Sequence, residues 1–304
     1  MGYRIKLIIG LLLLGFFFVI AVVGPAIAPY DVDYSKKIDY IETKEGEQLV
    51  SSPFPPSKDY IFGTDKWGYD ILTLLLNGAK YTVFTVITIA FLRVLIGSGF
   101  GIYHALHSKL EIKTNKSISV FSAIPAFIII YFIMVGINIE PVLSPLTLTA
   151  IQSILMIILG LAGVHRVTFE KAREIRKHLF IDASKTLGGS KLHILTKHIF
   201  PALKGNLLII FINEIIQVLH LIGQLAIFDL FLGGTEVQYN PIIYLSITNE
   251  WAGLIGQSRT FLRHSQWIVL FPLLTFLLFL FAFYLLSQGL NEKQKAEHRK
   301  YPFL

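Results

Sequence analysis

The chain has no cysteine, only three methionines and three tryptophans among 304 residues, and only 15% of it is charged. Without cysteine there is no disulfide, no thiolate metal site and no cysteine nucleophile. The low charge excludes an ordinary soluble domain, in which about 25% of residues are charged to solvate the surface. Disorder is excluded as well, because 54% of the residues are hydrophobic and disorder needs the opposite balance. Three catalytic signatures are missing. There is no Gly-x4-Gly-Lys-Ser/Thr loop, so ATP is not bound here through a P-loop. There is no His-Glu-x-x-His pair and no Gly-x-Ser-x-Gly turn, which removes the basic parts of zinc proteases and serine hydrolases. The nine histidines show no spacing that defines a metal cage. An enzyme is not expected, nor a metal or a cofactor.

What is abundant is apolar sequence, with 24 phenylalanines and a mean hydropathy of +0.62. A membrane-crossing helix needs about 20 mostly apolar residues. Six stretches meet that length, at 7–29, 81–103, 117–139, 147–165, 206–232 and 267–287. The sequence therefore predicts an all-α polytopic membrane protein with six transmembrane helices. The first stretch carries Arg4 and Lys6 and ends in Ala26-Ile27-Ala28, a pattern that a cleaved signal peptide also uses. Its apolar run exceeds the usual 7–15 residues, and Pro29 would follow the cut, so it is expected to remain as a span.

The net charge of +7 is a question of topology before it is one of nucleic acid. With the N-terminus cytoplasmic, 18 of the 27 Lys and Arg fall inside, nine of them between 166 and 204. The first outer segment is acidic, with Asp31, Asp33, Asp39, Glu42, Glu45, Glu47, Asp59, Asp65 and Asp70. Both termini are thus expected to be cytoplasmic in a multi-pass protein of the cell membrane. No basic patch is interleaved with aromatic residues, so nucleic acid is not an expected partner; membrane lipid is. The chain divides into a first helix at 1–30, an outer loop at 31–80, a membrane core at 81–290 containing the loop 166–204, and a tail at 291–304.

The 166–204 loop is too polar for lipid and too periodic for a linker. Ala172, Ile175, Leu179, Ala183 and Leu187 recur every three or four residues, which predicts one helical face. Gly188-Gly189 should stop that helix, Ser190 should cap a second one carrying Leu192, Leu195 and Ile199, and Pro201 should end it. Two readings fit a helix-turn-helix of this kind: a segment resting on lipid headgroups, or a docking element for a soluble partner.

The spacing Asp182-Ala183-Ser184, Gly188, His198-Ile199-Phe200-Pro201 resembles the EAA motif of permease subunits of ATP-binding-cassette importers. In that motif a glutamate, an alanine and a leucine stand where this chain has Asp182, Ser184 and Phe200. Gly63-Thr64-Asp65-Lys66-Trp67-Gly68-Tyr69-Asp70 with Gly78-Ala79-Lys80 is similar to a segment of the dipeptide/oligopeptide (and nickel) branch, with Tyr69 and Lys80 in place of arginines. Gly24-Pro25, Ala28-Pro29-Tyr30-Asp31, Phe231-Leu232-Gly233, Trp251, Trp267 and Pro272 agree with it. The resemblance implies the type I importer permease fold, ATP-driven peptide uptake, and a heterodimer with a homologous permease. It also implies two ATPase subunits and an extracytoplasmic substrate-binding protein. Asp182, Ala183, Ser184, Gly188, Gly189, His198 and Pro201 would then couple the chain to the ATPase.

Ionisable and amide groups inside spans need a reason. Asn213, Gln217, His220 and Gln224 recur at intervals of four, three and four, which places them within about 60° on one helix face. They serve either as hydrogen bonds between helices, worth about 0.6 kcal/mol each, or as a wall of the translocation path. Arg93 is expected to pair with Glu214, Asp229 or a group on a partner, in a structural role. Gly97 and Gly101 have a spacing that permits close helix packing. The competing expectation is a proton-coupled secondary transporter relaying through Glu214, His220 and Asp229.

Overall fold

The structure is a computed structural model describing residues 2–43, 46–108 and 124–300. Its helices are α1 (Tyr3–Ile27), α2 (Ile71–His107), α3 (Ala126–Asn138), α4 (Pro145–Ile175), α5 (Leu179–Thr186), α6 (Lys191–Ile194), α7 (Phe200–Ile227), α8 (Trp251–Ser258) and α9 (Trp267–Lys300). Five helical stretches are long and apolar enough to cross a membrane: α1, α2, α4, the continuous run Lys191–Ile227, and Trp267–Glu297. The predicted span 117–139 is met in part by α3, whose 13 residues measure about 20 Å at 1.5 Å per residue. Its beginning, 117–123, lies outside the described residues, as do the last four residues of the 291–304 tail.

Side chains at the helix starts explain several boundaries. The Asp70 carboxylate accepts from Thr73 N at 2.8 Å, so α2 begins ten residues before the apolar stretch from which it was predicted. Ser144 caps α4, accepting from Thr147 N at 3.2 Å, and Pro145 takes the first helical position, where no N–H is needed.

The start of α1 and the end of α9 lie together, where Lys6 Nζ meets Glu292 and donates to Gln288 Oε1 at 3.1 Å. The end of α2 reaches the same place: Arg176 at the close of α4 donates to Ala105 O and, at 3.1 Å, to Ser108 O. Both ends of the described chain therefore share one end of the bundle with the 166–204 loop. The opposite end carries two antiparallel hairpins that helical periodicity gave no sign of. One is β1 (Ile38–Thr43) with β2 (Gly46–Ser51), and the other β3 (Thr235–Gln238) with β4 (Ile243–Ser246).

The main core is centred on Trp251, which is fully buried. Its indole N–H donates to Leu75 O at 3.0 Å, and its ring packs on Phe17 of α1 and Phe279 of α9 at 5.4 and 5.3 Å. The first apolar stretch is thus a packed member of the fold. Gly78 lets α8 come this close, because a Cβ there would overlap Asn249 O. Gly97 and Gly101 play the same part between α2 and α4, facing Val164 and the His165 carbonyl.

Between α1 and α2, Asp65 is buried and accepts from Trp67 N and Tyr69 N, each at 2.9 Å. Burial outweighs those bonds and pushes its carboxyl up to about 7 from 3.8. A carboxyl with a raised pKa in the folded state contributes most below the unfolded value, and that contribution is lost as pH rises through the folded one. The segment around Asp65 should therefore loosen between about pH 4 and 7 and then level off. Asp65→Asn is expected to flatten this dependence, measured as amide exchange of residues 64–70. An unchanged slope in the variant would assign the dependence to another group.

Candidate functional site

The 166–204 loop is built in two layers. Ile181, Ile194, Ile199 and Leu203 are buried against Ile102 and Ala105 of α2 and Ala172 of α4, which anchors the loop to the helix ends. On the other side Leu179, Leu187 and Leu192 stand open, with 86, 89 and 68% of their surface exposed. This corrects the single apolar face expected for Ala172, Ile175, Leu179, Ala183 and Leu187. The chain leaves α4 after Ile175 and re-enters a helix only at Leu179, so the 3.6-residue register is not carried across. Ala172 and Ile175 turn inward; Leu179, Ala183 and Leu187 face out.

The stop at Gly188 is as expected. Its φ of +81° is a left-handed conformation that only glycine adopts without strain, and Gly189 N closes the turn on Ser184 O at 2.8 Å. Ser190 caps α6, its Oγ accepting from His193 N at 3.2 Å. Pro201 does not end a helix. It stands in the first turn of α7, directly after a π-helical turn at Leu195–Ile199, and the helix runs on through it. Proline has no N–H to donate, and the wider π turn accommodates the missing bond.

Asp182, Ala183, Ser184, Gly188 and Gly189 thus form one short helix and its stop. The Asp182 carboxylate pairs with Lys185 at 2.8 Å on the surface. His198 joins them through Phe180, whose ring lies between His178 at 5.4 Å and His198 at 5.6 Å. Leu192, expected on the second helix, stands open on this surface; Phe180 is the member that spacing did not single out, and an aromatic beside the Asp182 motif was its only signal.

The second region is the polar stripe. Asn213, Gln217, His220 and Gln224 all lie on the exposed face of α7. Asn213 Oδ1 accepts from Ser287 Oγ of α9 at 2.7 Å, so this member does join two helices. Gln217, His220 and Gln224 border an open cavity of about 330 Å3 together with Arg93, Leu159 and Gly160. Arg93 Nη1 pairs with Glu214 Oε2 at 2.9 Å, while Nε and Nη2 donate to Met156 O at 3.0 and 2.6 Å. One side chain of α2 therefore binds both α4 and α7. Of the partners expected for Arg93, Glu214 is the one it meets.

The proton relay through Glu214, His220 and Asp229 does not assemble. Glu214 is held by Arg93, and Asp229, past the end of α7, pairs with Arg259 at 2.7 Å. Each carboxylate is tied to its own arginine, and no hydrogen bond links either to His220. Among the described residues no three His, Asp or Glu side chains converge on a metal-sized site.

Sequence comparison fits this arrangement of spans, loop and stripe. The chain is 27% identical over 297 residues to a dipeptide transport system permease protein of Bacillus subtilis, covering 96% of this chain and 82% of that one. It is 25% identical to the oligopeptide transport system permease protein of the same organism, covering 96 and 86%. It is 25% identical to a peptide transport system permease protein of Haemophilus influenzae, covering 92 and 88%. Residues 97–295, more than half of the chain, match the family described as binding-protein-dependent transport system inner membrane components. That match contains α4, the 166–204 loop, α7 with its polar stripe and nearly all of α9, and the chain belongs to this family.

Proposed function

We propose that this chain is a translocation subunit of an ATP-driven importer of peptides. It works as a heterodimer with a homologous permease, with two ATPase subunits beneath the 166–204 loop and a substrate-binding protein on the outer side. The observation that carries this reading is the open apolar row Leu179, Leu187 and Leu192, fixed to three spans by the buried cluster behind it. An exposed apolar row of this kind suits a groove on a soluble partner, and the motif resemblance favours that reading over a segment resting on lipid headgroups. The names of the relatives supply the substrate class. Lys and Arg predominate at the end of the bundle holding both termini and the loop, which favours a cytoplasmic position for that end. The seven motif residues from Asp182 to Pro201 form or brace the coupling surface, and the α7 stripe lines the path.

ATP hydrolysis belongs to the partner subunits. What this chain contributes is mechanical: a short helix bounded by a glycine stop and clamped to α2, α4 and α7 moves as a body when its partner moves. The test is copurification with ATPase subunits together with uptake in vesicles. Gly188→Val is expected to leave membrane abundance unchanged and to abolish ATP-driven uptake. Nothing lies within 4 Å of a Cβ there, so the effect comes from backbone strain of about 1–2 kcal/mol that turns α5 away. Parent-level uptake by this variant at equal abundance would sink the coupling assignment.

A further inference from the structure

We propose that the cavity beside Arg93 is a binding site for the carboxylate of the peptide in transit, and that Arg93, Gln217, His220 and Gln224 hold it. This rests on the reading of the chain as a peptide translocation subunit. Arg93 is only 4% exposed and nonetheless forms one wall of the cavity. A guanidinium has five N–H donors. Three are engaged by Met156 O, twice, and by Glu214, so two remain for an acceptor in the cavity.

Gly160 is what lets the guanidinium lie there. A Cβ at that position would overlap Arg93 Nε and Cζ, so the glycine gives the arginine its bed across α4. A sealed Arg–Glu pair that only locked helices together would need no polar wall opposite. Here the cavity is also lined by three polar side chains of a membrane-spanning helix, where such groups are costly. Among the described residues Gln217, His220 and Gln224 have no hydrogen-bond partner. They are unengaged donors and acceptors facing an arginine.

The chemistry selects a terminal carboxylate over a side chain. Arginine and amide N–H groups converge on an anion with planar oxygens, and amide oxygens accept from neighbouring peptide N–H groups. Every peptide offers both, whatever its sequence. At about 330 Å3 the cavity is at the small end of ligand sites and takes one end of a peptide rather than the whole. Glu214 already offsets the Arg93 charge, so the anion is held weakly. Passage requires this, since a site on a path must release what it binds.

The test uses the assembled transporter with its binding protein and ATPases in proteoliposomes. Uptake of dialanine is compared with uptake of its C-terminal amide. Because the binding protein is the same throughout, its own preference cancels when variants are compared with the parent. The parent is expected to favour the free carboxylate. Arg93→Lys, which keeps a positive charge and loses the fork, is expected to reduce that preference about tenfold, the scale of a charged hydrogen bond. Gln217→Leu and His220→Leu lie on the open face and are expected to reduce it about threefold with abundance unchanged. If Arg93→Lys does not reach the membrane, these two variants decide. Equal loss of both substrates in every variant, or no preference in the parent, overturns the carboxylate site and leaves peptide transport standing. A parent complex that hydrolyses ATP and takes up neither form overturns the peptide reading, and the site with it.

Discussion

Arg93→Leu is expected to destabilise the protein by about 3–5 kcal/mol, the range seen when one partner of a buried ion pair is removed. The side chains of Arg93 and Glu214 are 5 and 16% exposed, so neither is screened by much water. The loss falls on three helices at once. Glu214 on α7 is left unpaired, and the Met156 carbonyl on α4 loses both donors that Arg93 supplied from α2. Detergent-resistant folding should fall, and SDS-unfolding curves should shift to lower denaturant. The double variant Arg93→Leu with Glu214→Leu should recover most of the stability, because two apolar groups of similar size replace the pair without leaving a charge behind. If the double variant is no more stable than Arg93→Leu, the cost comes from the lost Met156 contact rather than from the ion pair. Fold recovery in the double variant with no recovery of transport would separate the two duties of Arg93.

Leu179→Asp combined with Leu192→Asp is expected to cut ATP-driven uptake about a hundredfold while leaving the chain folded and inserted. Both side chains are exposed by more than two thirds, so little packing within the chain is lost. Each stands in the first turn of a helix, where a carboxylate is favoured by the backbone dipoles. A partner groove that receives leucine has no such tolerance. Buried interface anchors lose about 2–4 kcal/mol when removed, and a charge placed in the same groove adds a desolvation cost. Copurification of the ATPase subunits should fall with uptake. Retention of both at parent levels would mean that the ATPase docks elsewhere on this end of the bundle.

Much of the fold was legible before any coordinates. Length and hydropathy located five of the six expected spans by their apolar centres, with ends up to about ten residues off, since a helix crossing hydrocarbon must be long and apolar whatever it packs against. The caps at Ser190 and the stop at Gly188 were legible for the same kind of reason: each satisfies or bends the backbone within a few residues of itself. The polar stripe was legible from its spacing, and the structure places all four members on one open face.

Where the reading failed, the cause was a register or a bond set by distant residues. The expected apolar face from Ala172 to Leu187 was broken by a turn at 176–178, and Pro201 was absorbed by a π turn. The β3–β4 hairpin is held against α8, where Ser246 N donates to Gln257 Oε1 at 2.8 Å, and periodicity of helices says nothing about either hairpin.

The sequence by itself determined that this is a membrane protein, roughly where its spans lie, and where its charges and polar exceptions lie. Those properties depend on single residues and on neighbours within a turn or two, so a linear reading reaches them. Only the tertiary structure decided that Arg93 joins Glu214, that Gly160 makes room for it, and that Leu179 faces out while Ile181 faces in. Arg93 and Glu214 are 121 positions apart in the chain. Which of several charged partners an arginine meets depends on how α2, α4 and α7 pack side by side, and that choice is made in three dimensions.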